Sequence, residues 1–475
     1  MVFGLVDKIM ISSIVAPQFV LKNELLKRTT SRCPVCHAAC PAEVWRTGGI
    51  PSKVFLKRTC SEHGEASVCI ASDARSYWLS KGKSENGCGG GHACCASDGL
   101  PAGTLGGNAE PGDALGVMER LSTCLALIEI VNSCNLACPT CFADSPVGAG
   151  QTVDAVPLDD LQRRIQGVID RKGKIEILQL SGGEPTLHPQ FFELLRWLHA
   201  NPKIDYVLLN TNGVRIAHDD AFAAELAATF RDGKIQLYLQ FDGTQEAGQK
   251  FLRGADLRAT RGRCLARCRE MKLPVTLAMT VTSENLPYLW ETIGFGLRWP
   301  NVRGISFQPM FTSGRIPNRA ILNNQPSPSL NTADIVLAAV GQSSGKLRFE
   351  DFTPLPCGDP NCATIGYLLK VGRQIRSVSD FVDFKNVQGF LGTKVRYKLE
   401  DLMKCGCESE PLGELLKEFE LDESHTFRLF IKPFMDVATW DEDRIDRCCT
   451  HVIGPDGKLD SFCRYYSGFA DCKVK

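Results

Sequence analysis

The sequence predicts an α/β protein whose central part is a partial, open (β/α)6 barrel of the TIM type, with a small metal-binding β-ribbon before it and a cysteine-rich region after it. The middle of the chain alternates β-rich apolar runs with amphipathic stretches of helical length, which is typical of βα units around a parallel sheet. Six such units are present, fewer than the eight of a closed barrel. The 22 cysteines gather on both sides of this middle part, and positions 142 to 263 contain none.

The predicted strands and helices follow one another in order along the barrel. Strands are expected at Leu125–Val131, Lys174–Leu180, Asp205–Asn210, Ile235–Phe241, Val275–Val281 and Val302–Gln308. Helices are expected at Leu158–Arg171, Gln190–Ala200, Asp220–Phe230, Ala259–Met271 and Leu286–Arg298. Because such barrels bind ligands at the carboxyl ends of their strands, the residues just after each strand are candidates for a binding site.

Composition and charge exclude several classes of protein. The 475 residues carry 54 basic and 54 acidic side chains, and this balance gives no reason to expect a nucleic-acid partner. The longest uncharged run near the N-terminus, Ile9–Leu21, contains Pro17 and no basic segment precedes it. It is too short to span a bilayer, and an export signal would need a basic region before it. We therefore expect a cytoplasmic protein without a transmembrane segment, whose contact with a membrane would be peripheral.

The cysteines predict metal sites and, with the composition, the domain organisation. In a reducing compartment disulfides are rare, so thiols at short spacings indicate zinc or iron–sulfur clusters. We expect a lead segment at 1–30, a rubredoxin- or zinc-ribbon-like domain at 31–80, a Cys/Gly-rich linker at 81–118, the barrel at 119–345 and an auxiliary-cluster domain at 346–475. The last region is expected to fold around metal more than around an apolar core, because the strand–helix alternation fades there.

The first chemical motif is a C-x3-C-x2-C loop, formed by Cys134, Cys138 and Cys141 directly after the first barrel strand. Three thiolates can hold three irons of a [4Fe–4S] cubane and leave the fourth iron open to another ligand. A zinc knuckle would need a fourth ligand close by, and the nearest downstream histidine, His188, lies beyond another βα unit. The spacing therefore favours a cluster with an open iron.

The second motif is Ser181-Gly182-Gly183-Glu184-Pro185, which follows the second strand. The two glycines let the backbone approach a ligand closely, and Glu184 places an acceptor at the ligand-binding edge of the barrel. Further candidates at the ends of later strands are Asn210, Gln240, Asp242 and Gln308. Each of these four also fits an ordinary capping or turn role.

The two motifs in this order resemble the radical S-adenosylmethionine (SAM) superfamily, which combines them with a partial (β/α)6 barrel. The resemblance implies that Cys134, Cys138 and Cys141 bind the cluster and that the methionyl amine and carboxylate of SAM chelate its open iron. The range 182–184 would then meet the amino group. The chain departs from the family pattern at Thr140, where an aromatic residue is usual.

The resemblance also implies a reaction. A reduced cluster passes one electron to SAM, and the resulting 5′-deoxyadenosyl radical removes hydrogen from an unactivated C–H bond. The cofactor carries the difficult step, while the protein supplies position and excludes water. Asn210, Gln240, Asp242 and Gln308 are expected to complete the cofactor site, with Asp242 or Gln240 at the ribose hydroxyls. We expect a reducing partner of the flavodoxin or ferredoxin type, and no side chain is assigned as catalytic.

Longer segments narrow the resemblance to one subgroup, which contains tetraether lipid synthases and related proteins implicated in methylating a pterin. These segments are LALIEIVNSCNLACPTCFADS, LLNTNGVR, LQFDG, VRGISFQPMFTSGR and the tail that begins with FMD. The first expectation is therefore C–C bond formation that couples lipid chains, and the second is C-methylation of a pterin-like cofactor. A lipid would need a long apolar tunnel, and a pterin a compact polar pocket. A non-catalytic electron carrier is the alternative of another class, although it would not need the GGEP turn.

The N-terminal segment predicts a mononuclear site for zinc or a rubredoxin-like iron. Two short pairs flank a β-like run, and their members are Cys33, Cys36, Cys60 and His63. Cys40 and Cys69 compete with His63 for the fourth position. Members of the subgroup are understood to carry a single iron in a similar place.

The remaining thiols are sufficient for two auxiliary [4Fe–4S] clusters, which would relay electrons or anchor a substrate. The candidate ligands are Cys88, Cys94, Cys95, Cys124, Cys357, Cys362, Cys448, Cys449 and Cys463, with Cys405 and Cys407 as further candidates. Their division between clusters stays open. Cys264 and Cys268 lie four residues apart on a predicted helix and are expected to pack in the core. His188 is expected in packing, and His451 in support of neighbouring ligands.

Overall fold

A computed structural model describes residues 22–79, 123–146, 152–229, 234–316, 330–355, 358–371, 374–380 and 425–468. The expected linker at 81–118 and most of the lead segment at 1–30 lie outside these ranges. So do six of the candidate thiols, namely Cys88, Cys94, Cys95, Cys357, Cys405 and Cys407.

The N-terminal part is an antiparallel meander of four strands, which confirms the expected metal-binding β-ribbon. The strands are β1 (Glu24–Arg32), β2 (Ala39–Arg46), β3 (Val54–Cys60) and β4 (Gly64–Ala71), and they pair in sequence order. Alternate residues of β3 are buried against β2, among them Val54 and Leu56, as the period of a strand requires. Because the chain reverses after β1 and after β3, both predicted ligand pairs come to the same end of the ribbon.

Six parallel strands form the barrel, each next to its neighbour in sequence. They are β5 (Leu125–Val131), β6 (Ile175–Gly182), β7 (Ile204–Thr211), β8 (Ile235–Gln240), β9 (Val275–Val281) and β10 (Val302–Pro309). The helices that cover them are α1 (Leu158–Lys172), α2 (Phe191–Ala200), α3 (Val214–His218), α4 (Asp220–Thr229), α5 (Glu246–Arg253), α6 (Arg258–Glu270), α7 (Leu289–Leu297) and α8 (Thr332–Gln342). The predicted alternation is confirmed, and α3, α5 and α8 are additions that the sequence did not predict.

The helices bury one face each on the sheet. In α1 the buried residues Leu161, Ile165 and Val168 recur at helical spacing, and burying each such side chain contributes about 1.5–3 kcal/mol. The helix ends at Gly173, whose φ of 82° few other residues adopt at low cost. Cys264 and Cys268 of α6 are fully buried in the same core, as expected for packing residues.

The described part of the region after residue 345 contradicts the expectation that it folds mainly around metal. Its strands are β11 (Thr353–Pro354), β12 (Thr364–Val371), β13 (Gln374–Ser377), β14 (Thr426–Ile431), β15 (Thr450–Ile453) and β16 (Leu459–Ser461). β14 lies parallel to β10 and β15 parallel to β5, so the barrel sheet extends past residue 345. Phe427, Leu429 and Ile431 are fully buried in the barrel core, because the alternating run TFRLFI gives β14 an apolar face.

The sheet is open within the described residues, which confirms the expected partial barrel. Its strand order is β11-β12-β14-β10-β9-β8-β7-β6-β5-β15-β16, and β13 pairs with β12. Two short helices, α9 (Glu442–Ile445) and α10 (Phe462–Tyr466), complete the C-terminal part. No helix in the described ranges is both long and apolar enough to cross a membrane.

The ribbon packs on the C-terminal part. Lys27 of β1 forms ion pairs with Asp441 at 2.7 Å and Asp443 at 2.8 Å. The buried Arg58 of β3 donates to the carbonyl oxygen of Ala438 at 2.7 Å. These contacts fix the metal-binding ribbon beside the segment that follows β14.

Candidate cofactor site and metal centre

The segment after β5, residues 132–146, is called the cluster loop here. It contains Cys134, Cys138 and Cys141, which are half-buried and line an open cavity of about 1020 Å³ at the carboxyl ends of the barrel strands. Burial raises the pKa of the Cys134 thiol to about 11, and Glu184 and the other two cysteines add to the effect. A cation beside the Cys134 sulfur would favour its thiolate form, and iron or zinc supplies one.

Gly182 and Gly183 bring the end of β6 against the start of the cluster loop. A Cβ atom on Gly182 would overlap the carbonyl oxygen of Val131, and one on Gly183 would overlap that of Ser133. Gly183 N donates to Val131 O at 2.7 Å, and Glu184 N to Ser133 O at 3.0 Å. The glycines do line the cavity, but the approach that requires them is to the loop backbone, whereas the sequence suggested an approach to a ligand.

Residues 310–316, called the strap here, cross the other side of the cluster loop. Cys141 and Arg315 exchange two backbone hydrogen bonds of 2.9 Å. Gly314 has a φ of 66°, and a Cβ atom there would overlap the carbonyl oxygen of Cys141. The loop is also tied to α5, because Thr140 Oγ1 donates to Leu252 O at 3.1 Å. The Thr140 position, where the sequence departs from the family pattern, thus has a structural role here.

Glu184 is 1% exposed, and its carboxylate joins the ends of β6 and β7. It accepts hydrogen bonds from Thr186 Oγ1 at 2.8 Å, Thr211 Oγ1 at 2.6 Å and Asn212 N at 2.7 Å. Burial raises the pKa of Glu184, and these hydrogen bonds act in the opposite direction. The carboxylate therefore shapes one wall of the cavity, and His188 nearby packs with Nε2 at 2.8 Å from Val156 O.

Asp242 does not lie where the sequence suggested. It is fully buried, and its carboxylate oxygens accept from Arg253 Nε at 2.6 Å, Arg253 Nη2 at 3.0 Å and Thr280 N at 3.0 Å. The expected contact with ribose is therefore not supported, because the carboxylate is occupied by Arg253. Arg253 itself lines the cavity. Burial lowers its pKa, but Asp242 and Cys138 beside it have the larger opposite effect and keep it above the ordinary value.

Two of the other predicted ligand residues belong to one chain of hydrogen bonds that ends at Arg253. Asn210 Nδ2 donates to Ser181 Oγ at 3.1 Å, and Gln240 Nε2 donates to Asn210 Oδ1 at 3.0 Å. Gln240 Oε1 accepts from Arg253 Nη2 at 3.0 Å. Gln308 lines the same cavity, so the structure brings Asn210, Gln240 and Gln308 together as expected.

Arg261 is a cavity residue that the sequence reasoning missed. Its side chain is 0% exposed yet lines the cavity. Nη1 donates to Asn212 O, whereas Nε and Nη2 have no partner among the described residues. Burial lowers its pKa to about 10, so it is charged at neutral pH. Because buried donors are nearly always paired, these two point to an anionic group of a ligand. The sequence did contain a signal that Arg261 would be buried. Arg261 lies on the same face of α6 as Cys264 and Cys268, which were expected to pack in the core.

The ribbon brings its four predicted metal ligands together. Three sulfur atoms and one imidazole nitrogen all lie within 4.8 Å of one another, and they belong to Cys33, Cys36, Cys60 and His63. His63 Nδ1 lies 3.7 Å from Cys33 Sγ and 3.6 Å from Cys60 Sγ. Backbone N–H groups of Glu62 and His63 lower the pKa of Cys60 to about 6, which favours the thiolate. This donor set suits tetrahedral zinc or iron.

The two competitors for the fourth ligand position lie outside this group. Cys40 is buried beside Cys33 and Cys60, but its thiol donates to Ala38 O at 3.3 Å. Cys69, on β4, lines a separate cavity with Tyr77. The geometry therefore brings in His63 as the fourth ligand atom.

Two families match these two regions. Residues 128–296 match the model of the Radical SAM superfamily. The central part of the chain is a radical SAM domain. Residues 25–72 match the HMPTM N-terminal zinc ribbon domain, in agreement with the ribbon of β1–β4.

The chain is similar over nearly its whole length to a pterin dimethyltransferase. It is 25% identical to the 7,8-dihydro-6-hydroxymethylpterin dimethyltransferase of Methanocaldococcus jannaschii over 516 residues, which cover 92% of this chain and 93% of that enzyme. It is 37% identical to GTP 3′,8-cyclase of Chlorobaculum tepidum over 87 residues, 18% of this chain and 25% of that protein. Among solved structures, SuiB of Streptococcus suis is 18% identical with a TM-score of 0.36, covering 46% of this chain and 45% of that chain. The radical SAM domain of the chain implies a [4Fe–4S] cluster with SAM.

The radical SAM domain has a second cavity of about 1450 Å³, called the lumen here, inside the barrel. Phe142, Phe311 and Phe434 line both cavities, so the lumen opens on the cofactor cavity. One wall is aromatic. The rings of Phe434 and Phe462 stack there, with their centroids 4.0 Å apart. The opposite wall is polar: Gln308 Nε2 donates to Tyr238 Oη at 2.8 Å, and Tyr238 Oη donates to Ser306 Oγ at 2.6 Å.

Three auxiliary thiols lie near one another beside the radical SAM domain. Arg444 Nη2 lies 3.6 Å from Cys362 Sγ, and backbone N–H groups approach Cys448 Sγ at 3.4 Å and Cys463 Sγ at 3.3 Å. Burial raises the pKa of Cys448 to about 11, with Cys362 as the next cause. Burial also raises the pKa of Cys463 to about 12, with Cys448 as the next cause.

Two other members of the expected auxiliary set, Cys124 and Cys449, line the lumen. Cys449 follows Cys448 directly in the chain. His451 contacts the backbone of this region, with Nε2 at 2.9 Å from Cys448 O, as expected for a supporting residue.

Proposed function

We propose that this radical SAM enzyme forms a C–C bond by methylating a carbon of a pterin-like heterocycle. The observation that carries the proposal is the lumen, which has an aromatic wall on one side and hydrogen-bonding side chains on the other. A flat heterocycle with polar edges can stack on the aromatic wall and form hydrogen bonds with the polar side chains. The end-to-end similarity to a pterin dimethyltransferase supports the same substrate class.

The lumen gives less support to the coupling of lipid chains, which was the first expectation. Gln236 and Tyr238 of β8 and Gln308 of β10 place polar groups on its wall. An alkyl chain would leave the remaining hydrogen-bonding capacity of these groups unused, which is costly. Most of the lining is apolar, so the preference for the heterocycle rests on these polar groups and on the similarity to the pterin dimethyltransferase.

The residues around the cavity at the cluster loop suit two cofactors, a [4Fe–4S] cluster and SAM. Cys134, Cys138 and Cys141 would hold a [4Fe–4S] cluster, which when bound supplies the electron that cleaves SAM into a hydrogen-abstracting radical. We assign the methionyl carboxylate to Arg261, which lines the cavity and has two donors without a partner among the described residues. Arg253, held by Asp242, places a second positive charge beside Cys138. Asn210, Gln240 and Gln308 remain for the ribose and adenine.

The outer metal sites belong to the same proposal. The ribbon would hold one iron or zinc through three thiolates and His63. Cys362, Cys448 and Cys463 would supply three ligands of an auxiliary cluster. An external donor of the flavodoxin or ferredoxin type would reduce the cofactor cluster through such a centre.

The decisive experiment follows hydrogen from the substrate into the cofactor. The anaerobically reconstituted protein is reduced with dithionite and given SAM with 7,8-dihydro-6-hydroxymethylpterin carrying deuterium on its ring and side-chain carbons. We expect pterin-dependent 5′-deoxyadenosine that contains deuterium, detected by mass spectrometry. Cys138→Ala should form none, whereas Cys264→Ala, which removes a buried packing thiol, should retain the reaction.

Three other outcomes separate the alternatives. Deuterium transfer from a deuterated isoprenoid phospholipid, and not from the pterin, would establish the lipid reaction. 5′-Deoxyadenosine that never acquires deuterium from the pterin would refute the pterin substrate. No 5′-deoxyadenosine at all from protein with an intact, reduced cluster would indicate an electron carrier.

A further inference from the structure

The described lining of the lumen includes the basic residues Arg428 and Lys432 and neither an aspartate nor a glutamate. Both belong to the inner face of β14 or its immediate extension, since Arg428, Phe430 and Lys432 alternate into the cavity. A lysine in a lining without carboxylates, as Lys432 is, is suited to an anion.

Of the two basic residues of the lumen, Lys432 lies nearer the cofactor cavity. Its backbone N–H donates to Phe307 O at 2.9 Å, at the carboxyl end of β10. Its ammonium donates to Thr450 Oγ1 at 2.8 Å and lies 5.8 Å from the ring centroid of Phe434, which lines both cavities. An anion bound at Lys432 would therefore hold the rest of its molecule near the entrance to the cofactor cavity.

The ammonium of Lys432 has no carboxylate partner among the described residues. Its hydrogen bond to Thr450 involves a neutral hydroxyl, and no carboxylate of the described residues lies within 4.0 Å of it. A half-buried ammonium against an aromatic wall loses part of its hydration, and an ion pair with a carboxylate or phosphate compensates such a loss. An anionic group of a ligand can supply that ion pair.

We propose that Lys432 binds an anionic group of the substrate, a phosphate or a carboxylate, and that the enzyme consequently prefers an anionic ester of its heterocycle to the neutral alcohol. For the identity of the heterocycle, the inference rests on the proposed function. The anionic group follows from the lumen itself, because neither Gln308 nor Tyr238 in its wall can neutralise a charge.

The test compares two ligands that differ in charge. Binding of 7,8-dihydro-6-hydroxymethylpterin and of its diphosphate ester to the full, reconstituted chain is measured anaerobically by calorimetry, with SAM present. We expect the ester to bind roughly tenfold more tightly or better, as a charge-assisted hydrogen bond provides. Lys432→Met should reduce the preference to within about twofold, and Lys432→Arg should restore most of it.

Controls keep the result interpretable. Lys250→Met removes an exposed lysine that pairs with Glu246, and it should leave the preference unchanged. Iron content and circular dichroism check that each variant folds. If Lys432→Met does not fold, the salt dependence of wild-type binding decides, because only the ester should lose affinity as salt increases.

The outcomes distinguish this inference from the proposed function. Equal binding of both pterins to the wild type would overturn the anion site and leave the pterin function intact. If neither pterin binds, but inorganic pyrophosphate or a short-chain anionic phospholipid binds in a Lys432-dependent way, the anion site stands and the heterocycle is wrong. An ester preference that persists in Lys432→Met would also overturn the assignment to Lys432.

Discussion

The two sulfur-rich regions of this molecule, the ribbon site and the cluster loop, reach their geometry by different routes. In the ribbon, two reversals of a small meander bring four ligand atoms within 4.8 Å of one another. In the cluster loop, the three thiols come from one short segment, but distant parts of the chain hold that segment. These parts are Gly182 and Gly183 of β6, Leu252 of α5 and the strap.

The difference shows that metal ligands can come from one short segment of sequence while distant parts of the chain hold that segment in place. The ribbon needs only its own strands to form its site, so we expect it to bind metal whatever happens in the barrel. The cluster loop depends on contacts that exist only after the barrel has assembled. Substitutions far from the cysteines should therefore affect the cluster and spare the ribbon metal.

The largest effect is expected from Gly183→Ala. The new Cβ atom would overlap the carbonyl oxygen of Ser133, and the start of the cluster loop would have to move. We expect loss of most of the cluster iron and sulfide, with the ribbon metal still bound, as measured by metal and sulfide analysis per chain. Gly341→Ala is the matched control, because a Cβ there meets nothing within 4 Å. A full complement of cluster iron in Gly183→Ala would show that the loop does not depend on β6.

His63→Ala is expected to have the opposite effect, which is loss of the ribbon metal while the cluster iron is retained. The variant removes one of four ligand atoms, and affinity of the ribbon for its metal should fall by roughly a hundredfold, the upper end of what loss of a supporting partner costs other sites. Cluster iron should not change. Competition with a chelator measures the affinity, and Cys69→Ser is the control, since that thiol lies outside the site. A weaker site in Cys69→Ser and a normal one in His63→Ala would reverse the ligand assignment.

A smaller effect is expected from Arg261→Gln, which tests the cavity beside the cluster loop without disturbing the loop. Loss of the charge that we assign to the methionyl carboxylate should weaken SAM binding roughly tenfold. Equilibrium binding of SAM to the reduced protein measures this, with cluster iron unchanged. Arg269→Gln, an exposed position of the same helix, should bind SAM normally. Equal affinities in both variants would remove Arg261 from the site.

The same contrast explains which features the sequence could predict. Strand periodicity and short cysteine spacings are local, so the six barrel strands, the ribbon and its ligand pairs were predicted. Pairing between Cys141 and Arg315 has no local signal, and the strap was therefore missed. Asp242 was misread as a ligand residue because its partner, Arg253, ends a helix that the pattern did not reveal. β14 and β15 were missed because long cysteine-bearing segments separate them from the barrel strands.

The smallest effect concerns His451, which supports the auxiliary thiols from inside the barrel sheet. It is fully buried, with Nδ1 at 2.9 Å from Thr123 Oγ1, and burial lowers its pKa from 6.5 to about 3. Between these values the unfolded chain binds a proton that the folded chain excludes. The free energy of unfolding should therefore be unaffected by this group above pH 6.5 and decrease below it, by at most about 1.4 kcal/mol per pH unit.

His451→Gln keeps a neutral polar side chain and should remove that dependence. We expect the melting temperature of the wild type to fall between pH 7 and pH 5.5 by about two to four degrees more than that of the variant. His218→Gln, at an exposed position, should behave like the wild type. If His451→Gln showed the same pH dependence as the wild type, His451 would be protonated in the folded state, and the sheet beside the auxiliary thiols would be open to water.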